Sequence, residues 1–285
     1  AFQSVKDSRK PVVVHINTLK GKGYAPAEQN KEVWHYNGPF HIETGEPLYE
    51  MTEEDYSDIS MNYLLDKMKK DPAVVAITSG TPTVMGFTED KRKEAGKQFV
   101  DVGIAEETAV ALASGIAANG GKPVYGVYST FVQRTYDQIA QDLCINNSPA
   151  TIVTFCGSVY GMNDVTHLGL YDIPMMANIP NLVYLAPTTK EEYLAMLDWS
   201  IEQNEYPVGI RLPGGSVISD GKEITKDFGD LNKYEVTQEG SKVAVIGLGT
   251  FYNMGCEVAK AVEESANAVT SSAMSTGSLV EDMHT

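Results

Sequence analysis

The most constraining feature of this sequence is a regular alternation, between residues 74 and 211, of short apolar segments with longer segments of helical periodicity. The apolar segments are predicted to be strands at residues 74–78, 99–104, 122–128, 150–155, 181–186 and 207–211. Helices are predicted near residues 53–69 and at 105–119, 134–146 and 189–203. Strands that alternate with helices in this way pair in parallel and are covered on both faces. The predicted fold class is therefore α/β, with a parallel sheet and helices on both of its faces.

The segment that precedes this alternation has a different pattern. Residues 11–18, Pro-Val-Val-Val-His-Ile-Asn-Thr, are predicted to form a buried strand, which the Gly-Lys-Gly sequence at 21–23 ends. Residues 24–49 have neither a helical nor a strand period and contain three prolines. They are therefore predicted to be a linker or a wrapped segment.

After the last predicted strand of the alternation the pattern changes again. Residues 214–240 are polar, glycine-rich and acidic, which predicts a domain boundary. A strand is predicted at 242–247 and a helix at 253–264, joined through Gly247-Leu-Gly249. A Gly-x-Gly turn suits either a nucleotide site or close packing of strand against helix, and packing is the more frequent reason. Residues 265–285 have no clear period.

Charge and cysteine usage narrow the class of protein. The formal net charge of −16 argues against nucleic-acid binding, which requires clustered lysines and arginines. No segment approaches the roughly 18 apolar residues of a membrane-spanning helix, and the sequence does not open with a secretory leader pattern. The three cysteines are far apart and have no metal-binding spacing, which is typical of reduced thiols. We therefore expect a cytoplasmic protein without membrane or nucleic-acid partners.

One acidic residue occupies a position that favours chemistry. The sequence Asp101-Val-Gly-Ile-Ala-Glu106 takes a predicted buried strand directly into a predicted helix. Ligands of parallel sheets bind outside the carboxyl ends of the strands, so Glu106 would face a crevice. An acid in a first helical turn is equally well explained by the helix dipole. Spacing alone leaves both interpretations open.

Residues 102–139, which contain Glu106, resemble the pyrimidine-binding core of deoxyxylulose phosphate synthases and, more loosely, of transketolases. The similarity continues in SPATIVTF, GMNDVTHLGLYD, IPNLVYLAPTTKEEYLAML and PVGIRLP, and extends back to HINTLKGKGYAPAE and WHYNGPF. It implies the end of a diphosphate-binding domain with its linker at 1–49, a pyrimidine-binding domain at 50–220 and the beginning of a transketolase C-terminal domain at 235–285. The implied cofactors are thiamine diphosphate and Mg²⁺.

The resemblance also implies a role for each matching residue. Glu106 would hydrogen-bond the N1′ atom of the cofactor's aminopyrimidine and begin a proton relay within the cofactor. Phe131 would stack on the pyrimidine ring. The implied set is catalytic Glu106, His167 and His35, cofactor-binding Ile104, Glu106, Tyr128 and Phe131, and substrate-binding Tyr128, Arg134 and Arg211.

Each of these roles has a purely structural alternative. From the residues alone, the more frequent explanation is that Phe131 is a core residue and that Arg134 pairs with a nearby acid such as Asp137. A lone histidine is usually only hydrogen-bonded. His35 and His167, however, both match active-site histidines of one family, and an imidazole that titrates near neutrality can stabilise a carboxylate or carry a proton.

The sequence departs from the family pattern at several positions. Glu106 is followed by Glu107-Thr108 where the synthases have Gln-His. Two positions at which the family has arginine hold Cys156 and Gly214, and an aspartate position holds Asn163. The two arginines are those expected to bind the phosphate of the acceptor substrate, and neither a thiol nor glycine supplies a charge-assisted donor.

The resemblance implies an activity whose metal site is missing from the sequence. The family binds Mg²⁺ through a Gly-Asp-Gly motif and a later asparagine, a pairing that we expect upstream of Ala1. The implied activity is decarboxylation of pyruvate and condensation of the two-carbon unit with glyceraldehyde 3-phosphate, a step of isoprenoid biosynthesis, in a homodimer. The alternatives are a divergent enzyme with a different acceptor and a non-catalytic or split-enzyme subunit.

Overall fold

The computed structural model describes residues 1–49, 54–159, 165–240, 243–264 and 269–276. The chain divides into two compact units, Ala1–Glu53 and Glu54–Thr285. Over the described residues, each helix is too short or too polar to cross a membrane.

The first unit has little regular structure. It contains helix α1 (Phe2–Val5), helix α2 (Ala25–Gln29) and a 3₁₀ turn at Val33–His35. Three aromatic rings form its small cluster: Trp34 lies edge-on to Tyr24 and to Phe40, at centroid distances of 4.9 and 4.8 Å. Such contacts stabilise a segment that has few other apolar groups to bury.

The strand predicted at residues 11–18 is wrong. This segment has no regular secondary structure, and it pairs with no other strand among the described residues. Val13 is 93 % exposed and Ile16 is 58 % exposed. An apolar run indicates that a segment is suited to burial, but a strand also needs a neighbour for its backbone N–H and C=O groups. The described part of this unit supplies no such neighbour.

The second unit is built on a six-stranded parallel sheet. Its strands are β1 (Val74–Thr78), β2 (Phe99–Asp101), β3 (Lys122–Tyr128), β4 (Thr151–Phe155), β5 (Val183–Leu185) and β6 (Val208–Arg211). Their order in the sheet is β2-β1-β3-β4-β6-β5, and all neighbours are parallel. The α/β prediction is therefore confirmed, with β2 and β5 shorter than predicted.

Helices cover both faces of this sheet. They are α3 (Tyr56–Lys70), α4 (Glu89–Ala95), α5 (Glu106–Ala118), α6 (Tyr136–Gln138), α7 (Asp172–Ala177) and α8 (Lys190–Glu202). The continuous helix predicted at 134–146 is instead a 3₁₀ turn at Phe131–Thr135, then α6, then a π-helical turn at Ile139–Cys144. The spacing of apolar residues predicted a helical segment there. It does not indicate whether each backbone N–H bonds the carbonyl three, four or five residues earlier, which distinguishes 3₁₀, α and π turns.

Alternation along the strands divides the core into two layers. On β3, Val124 joins the cluster formed with α3 and α8, whereas the next residue, Tyr125, joins the cluster formed with α5 and the 139–144 turn. Val153 and Ile152 on β4 divide in the same way. Side chains of successive strand residues point to opposite faces, so a strand buried on both sides must be apolar throughout.

A second, smaller sheet lies in the same unit. It consists of β7 (Lys233–Gln238), β8 (Val243–Leu248) and β9 (Val269–Thr276), in the order β7-β9-β8, with helix α9 at Phe251–Glu264. Strand β7 falls inside residues 214–240, for which a domain boundary but no strand was predicted. Most of its residues are exposed, so it lacks the apolar pattern that would have identified it. The domain division between 220 and 235 stays a prediction.

The Gly247-Leu-Gly249 turn between β8 and α9 is closely packed. A Cβ atom on Gly247 would lie 2.5 Å from the Cα of Tyr252, at the start of the helix. Gly249 has φ +56°, in the left-handed region that favours glycine. Both observations favour the packing interpretation of the Gly-x-Gly sequence over a nucleotide site.

A charged network connects the sheet to the helices on one face. Lys122, the first residue of β3, contacts Asp71 at 2.8 Å and Glu202 at 2.7 Å. Lys67 on α3 also contacts Glu202, at 2.7 Å. The hydrogen bonds from Lys122 hold the pKa values of Asp71 and Glu202 below their ordinary range.

We predict that Lys122→Met lowers the free energy of unfolding by roughly 0.5–1 kcal/mol near neutral pH, the upper range for partly exposed ion pairs. Because the folded-state pKa values of Asp71 and Glu202 are depressed, their stabilisation is present above the unfolded pKa values of about 4 and is lost as pH falls. Urea denaturation should therefore show a difference between variant and native protein that is constant from about pH 7 to about pH 5 and shrinks as the pH falls below about 4.

Lys93 provides the matched control, because it forms a more exposed pair with Glu89 one helical turn away, at 2.8 Å. Lys93→Met should leave the free energy of unfolding nearly unchanged. The stabilising role of the network would be contradicted if Lys122→Met lowered the free energy of unfolding no more than Lys93→Met does. It would also be contradicted if the effect of Lys122→Met did not depend on pH.

Candidate active site

The carboxyl edge of the large sheet collects buried polar atoms that lack partners. Thr78 ends β1, Ser129 follows β3, and Glu106 begins α5 just after β2. Among the described residues, the Oγ1 of Thr78, the Oγ of Ser129 and the Oε2 of Glu106 have no hydrogen-bond partner. Buried polar groups are almost always paired, so a cluster of orphans indicates a place for water or a ligand. This edge is also where parallel sheets bind their ligands.

The turn from β2 into α5 fixes the backbone of Glu106. Asp101, the last residue of β2, accepts hydrogen bonds at its Oδ1 from the backbone N–H of Gly80 and of Gly103, both at 2.8 Å. Gly103 has φ +73°, a conformation that suits glycine. The chain therefore turns sharply and delivers Glu106 to the first turn of the helix, where the residue is 2 % exposed.

The carboxyl group of Glu106 has one cationic neighbour. Nη1 of Arg134 lies 3.2 Å from its Oε2, at ion-pair distance but without the geometry of a hydrogen bond. Arg134 is half exposed and also lies 3.4 Å from Oε1 of Glu107. The guanidinium is thus shared between two adjacent acids. The acids that the structure pairs with Arg134 are Glu106 and Glu107, whereas the structural alternative had named Asp137.

A group of three aromatic rings lies at the carboxyl end of β3. Tyr128 ends β3, Phe131 follows in the 3₁₀ turn, and His167 lies in the 165–167 turn. Their centroids are 5.3 to 5.5 Å apart and each pair is edge-to-face. All three are half-buried, so their remaining surface is available for contact. The structure therefore brings Tyr128, Phe131 and His167 together, and separately pairs Arg134 with Glu106.

Two further predicted residues have different surroundings. Ile104 lies in the turn before α5 and is 79 % exposed, close to Gly80. His35 belongs to the first unit, where its Nδ1 contacts the Nζ of Lys20. Its participation in the site stays a prediction.

Arg211 is held by the protein itself. Its Nε donates to Oδ2 of Asp172 at 2.6 Å, and its Nη2 lies 3.4 Å from the carbonyl oxygen of Gly169. The side chain of Arg211 is 13 % exposed and that of Asp172 is fully buried. The role of Arg211 in substrate binding stays a prediction. Its guanidinium is already hydrogen-bonded to Asp172 and Gly169.

The positions at which the family has its phosphate-binding arginines are uncharged. Burial, and to a smaller degree the negative charge of Asp55, raises the pKa of the Cys156 thiol to about 11, so it is neutral at physiological pH. The backbone N–H of Gly214 donates to Oγ of Ser158 at 3.0 Å. Asn163, the third departure, lies outside the described residues.

Sequence reasoning missed Thr78, Ser129 and Asp172. Thr78 and Ser129 are small polar residues at strand ends, a position that could have marked them. Asp172 opens a short helix and is almost fully buried, and one of its oxygens, Oδ1, has no hydrogen-bond partner in the described part of the chain. Its burial depends on contacts with strands distant in sequence, so no local signal indicated it.

Comparison with known proteins identifies the domain. Residues 53–218 match the family model described as transketolase, pyrimidine binding domain. The chain is 40 % identical over 261 residues to 1-deoxy-D-xylulose-5-phosphate synthase of Alkaliphilus oremlandii, and 38 % identical over 249 residues to the enzyme of that name from Clostridium acetobutylicum. These matches cover 91 % and 87 % of this chain but only 41 % and 40 % of the relatives.

Solved structures agree on the fold. A protein described as a split gene transketolase, inactive beta4 tetramer, matches with a TM-score of 0.65 at 22 % identity, over 79 % of this chain and 72 % of its own. A transketolase of Pichia stipitis with bound sedoheptulose phosphate matches with a TM-score of 0.65 at 16 % identity, over 81 % and 36 %. At these identities the likeness supports the fold alone.

We predict that Cys156 reacts slowly with iodoacetamide in the folded protein near neutral pH. Only the thiolate is nucleophilic, so with a pKa of about 11 the rate should rise about tenfold per pH unit up to that value. Mass spectrometry of the modified peptide measures the rate. The same cysteine in urea serves as the control, since an unfolded thiol has a pKa of about 8.5. Equal rates in the folded and unfolded protein at pH 7 would contradict a neutral, shielded thiol.

Proposed function

Because the chain belongs to the family of transketolase pyrimidine-binding domains, we propose that it forms the pyrimidine-binding part of a thiamine diphosphate-dependent transferase. The observation that carries this proposal is the buried Glu106, whose Oε2 has no hydrogen-bond partner among the described residues. A ring nitrogen such as N1′ of an aminopyrimidine would satisfy that oxygen. The half-buried rings of Tyr128 and Phe131, at the carboxyl end of β3 on the same edge of the sheet, suit a flat heterocycle.

The residues of this edge have separate tasks in the proposed mechanism. When bound, the cofactor supplies the carbanion chemistry by which a 2-oxo acid is decarboxylated. Glu106 would share a proton between Oε2 and the ring nitrogen, and its burial limits access of competing water. Phe131 orients the pyrimidine. His167, beside both rings, would stabilise the substrate carboxylate or return a proton to the product. The catalytic role of His35 stays a prediction.

We further propose that Mg²⁺ and the diphosphate are held by residues outside these 285. The described residues contain no group of three His, Cys, Asp or Glu side chains that could hold a metal ion. The curated relatives are more than twice as long as the matched segment. A split enzyme, whose second chain supplies the metal site, is the alternative arrangement. Intact mass of the purified protein, together with any chain that co-purifies, distinguishes the two.

The reaction that we propose for the complete protein follows its relatives. Enzymes named 1-deoxy-D-xylulose-5-phosphate synthase share 37 to 40 % of their residues with it. The complete protein would decarboxylate pyruvate and join the two-carbon unit to glyceraldehyde 3-phosphate, in the pathway to isoprenoids. We also propose a cytoplasmic homodimer. The free cysteines support a reducing compartment, and closed two-fold symmetry is the commonest oligomer.

A specific observation favours a second candidate, in which the acceptor aldehyde carries no phosphate. Cys156 is neutral, Gly214 has no side chain, and Arg211 is committed to Asp172. A phosphate dianion is bound most strongly by charge-assisted donors. Within the described residues, these three positions supply no charged donor that is available to a phosphate.

The first test is Glu106→Gln in the complete protein. The amide retains the shape of the side chain but cannot exchange a proton with N1′, so turnover of pyruvate should fall on the order of 10²–10⁴-fold. Thiamine diphosphate titration by fluorescence should show the cofactor still binding, since most contacts remain. Glu89→Gln, also in a first helical turn but exposed, is the matched control. Unchanged turnover in the Glu106 variant would contradict the proposed function.

The second test compares acceptors. If the synthase reaction is right, glyceraldehyde 3-phosphate should give a far higher kcat/KM than glyceraldehyde. If the second candidate is right, the preference should reverse, and Cys156→Arg combined with Gly214→Arg should restore the phosphorylated acceptor by about tenfold or more, as one charge-assisted pair contributes. Steady-state rates with each aldehyde decide between the two.

A further inference from the structure

Arg211 is the central member of a buried polar network at the carboxyl edge of the sheet. Oδ2 of Asp172 accepts from its Nε at 2.6 Å and from the hydroxyl of Tyr184 at 2.7 Å. The Tyr184 hydroxyl also lies 3.4 Å from Oγ1 of Thr154. Strands β4, β5 and β6 therefore all contribute to the network around one carboxylate.

The same network reaches the chain that follows His167. Gly169, two residues after that histidine, has its carbonyl oxygen 3.4 Å from Nη2 of Arg211. The backbone N–H of Gly169 donates to the carbonyl oxygen of Ser158 at 3.0 Å. A Cβ atom at Gly169 would lie 2.6 Å from the Cα of Gly157. The chain is thus pressed against the loop after β4, and only glycine fits there.

The geometry gives Arg211 little freedom for any other task. Its carboxylate partner is fully buried, so withdrawal of the guanidinium would leave an uncompensated charge. A Cβ atom on Gly157 would lie 2.7 Å from the Cγ of Arg211, which shows that the aliphatic part of the arginine is enclosed as well. A side chain held in this way is suited to fixing its neighbours.

We infer that Arg211 is a positioning residue, which acts through Asp172 and Gly169 to hold His167 against Tyr128 and Phe131. The inference rests on the proposed function, in which His167 faces the substrate. Arg211 binds Gly169 and Asp172, and both of these residues follow His167 within five positions in the chain. The arginine therefore fixes the segment on the carboxyl side of the histidine, while the two aromatic rings support the imidazole itself.

The test is a double-mutant cycle in the complete enzyme with Arg211→Met and His167→Asn. Each single change should lower kcat for pyruvate turnover, Arg211→Met on the order of 10- to 100-fold, the loss expected when a reacting group is displaced by about 1 Å. If Arg211 acts through the histidine, Arg211→Met should have almost no further effect in the His167→Asn background. The same fold-loss in both backgrounds would overturn the inference.

A second measurement does not depend on activity. Amide hydrogen exchange at residues 167–171, without cofactor, should be faster in Arg211→Met than in the native protein, and close to native in Arg211→Lys, which keeps the charge. Arg92→Met is the matched control, since this arginine also bonds a backbone carbonyl, that of Phe87 at 2.8 Å, but on α4. Exchange at 167–171 that is unchanged in Arg211→Met would overturn the inference.

Different results would contradict the role of His167 in the proposed function and the positioning role of Arg211. If His167→Asn alone leaves turnover unchanged, the role of the histidine in the proposed function is wrong. If His167→Asn lowers turnover but the cycle is additive, the proposed function stands and the positioning role of Arg211 is wrong. Should Arg211→Met not fold, Asp172→Asn removes the same charge pair while keeping the side-chain shape, and the cycle is repeated with it.

Discussion

Parallel pairing of the six strands determines where the side chains of the candidate site can lie. Because every strand runs in the same direction, the segments that follow β1, β2, β3, β4 and β6 all emerge at one edge. Residues separated by more than 100 positions, such as Glu106 and Arg211, therefore reach the same side of the molecule. A mixed or antiparallel sheet would distribute them over two edges. The site is in this sense a consequence of strand direction and order.

The edge also carries polar groups that the fold does not satisfy. Most polar atoms in the core are paired, as in the Ser79–Tyr125 hydroxyl contact at 2.8 Å. Thr78, Glu106 and Ser129 are exceptions at the strand ends. An unpaired buried donor or acceptor costs about 1–3 kcal/mol, so these atoms favour a partner such as water or a ligand. A ligand that supplied the missing partners would recover part of this free energy on binding.

The sequence predicted the sheet better than the site. Strands β1 and β3 have the predicted bounds, because a strand buried on both faces is apolar at every position. The segment 11–18 failed because apolar composition does not reveal a missing neighbour, and β7 was missed because it is exposed. At the site, the family resemblance named Glu106, Phe131 and His167, whose roles stay predictions. It could not indicate that Arg211 is engaged by Asp172, since that pair joins residues 39 positions apart.

The charge balance of this edge connects the fold to the choice of substrate. Arg134 is shared between Glu106 and Glu107, and Arg211 is neutralised by Asp172, so both arginines of the site already have acidic partners. A small carboxylate ligand could reach the guanidinium of Arg134, because that side chain is half exposed. A phosphate dianion needs more positive charge than that single side chain supplies. Binding of a phosphate at this edge would therefore draw positive charge from residues outside the described part of the chain. The Cys156 thiol adds no charge near neutral pH, since burial raises its pKa to about 11.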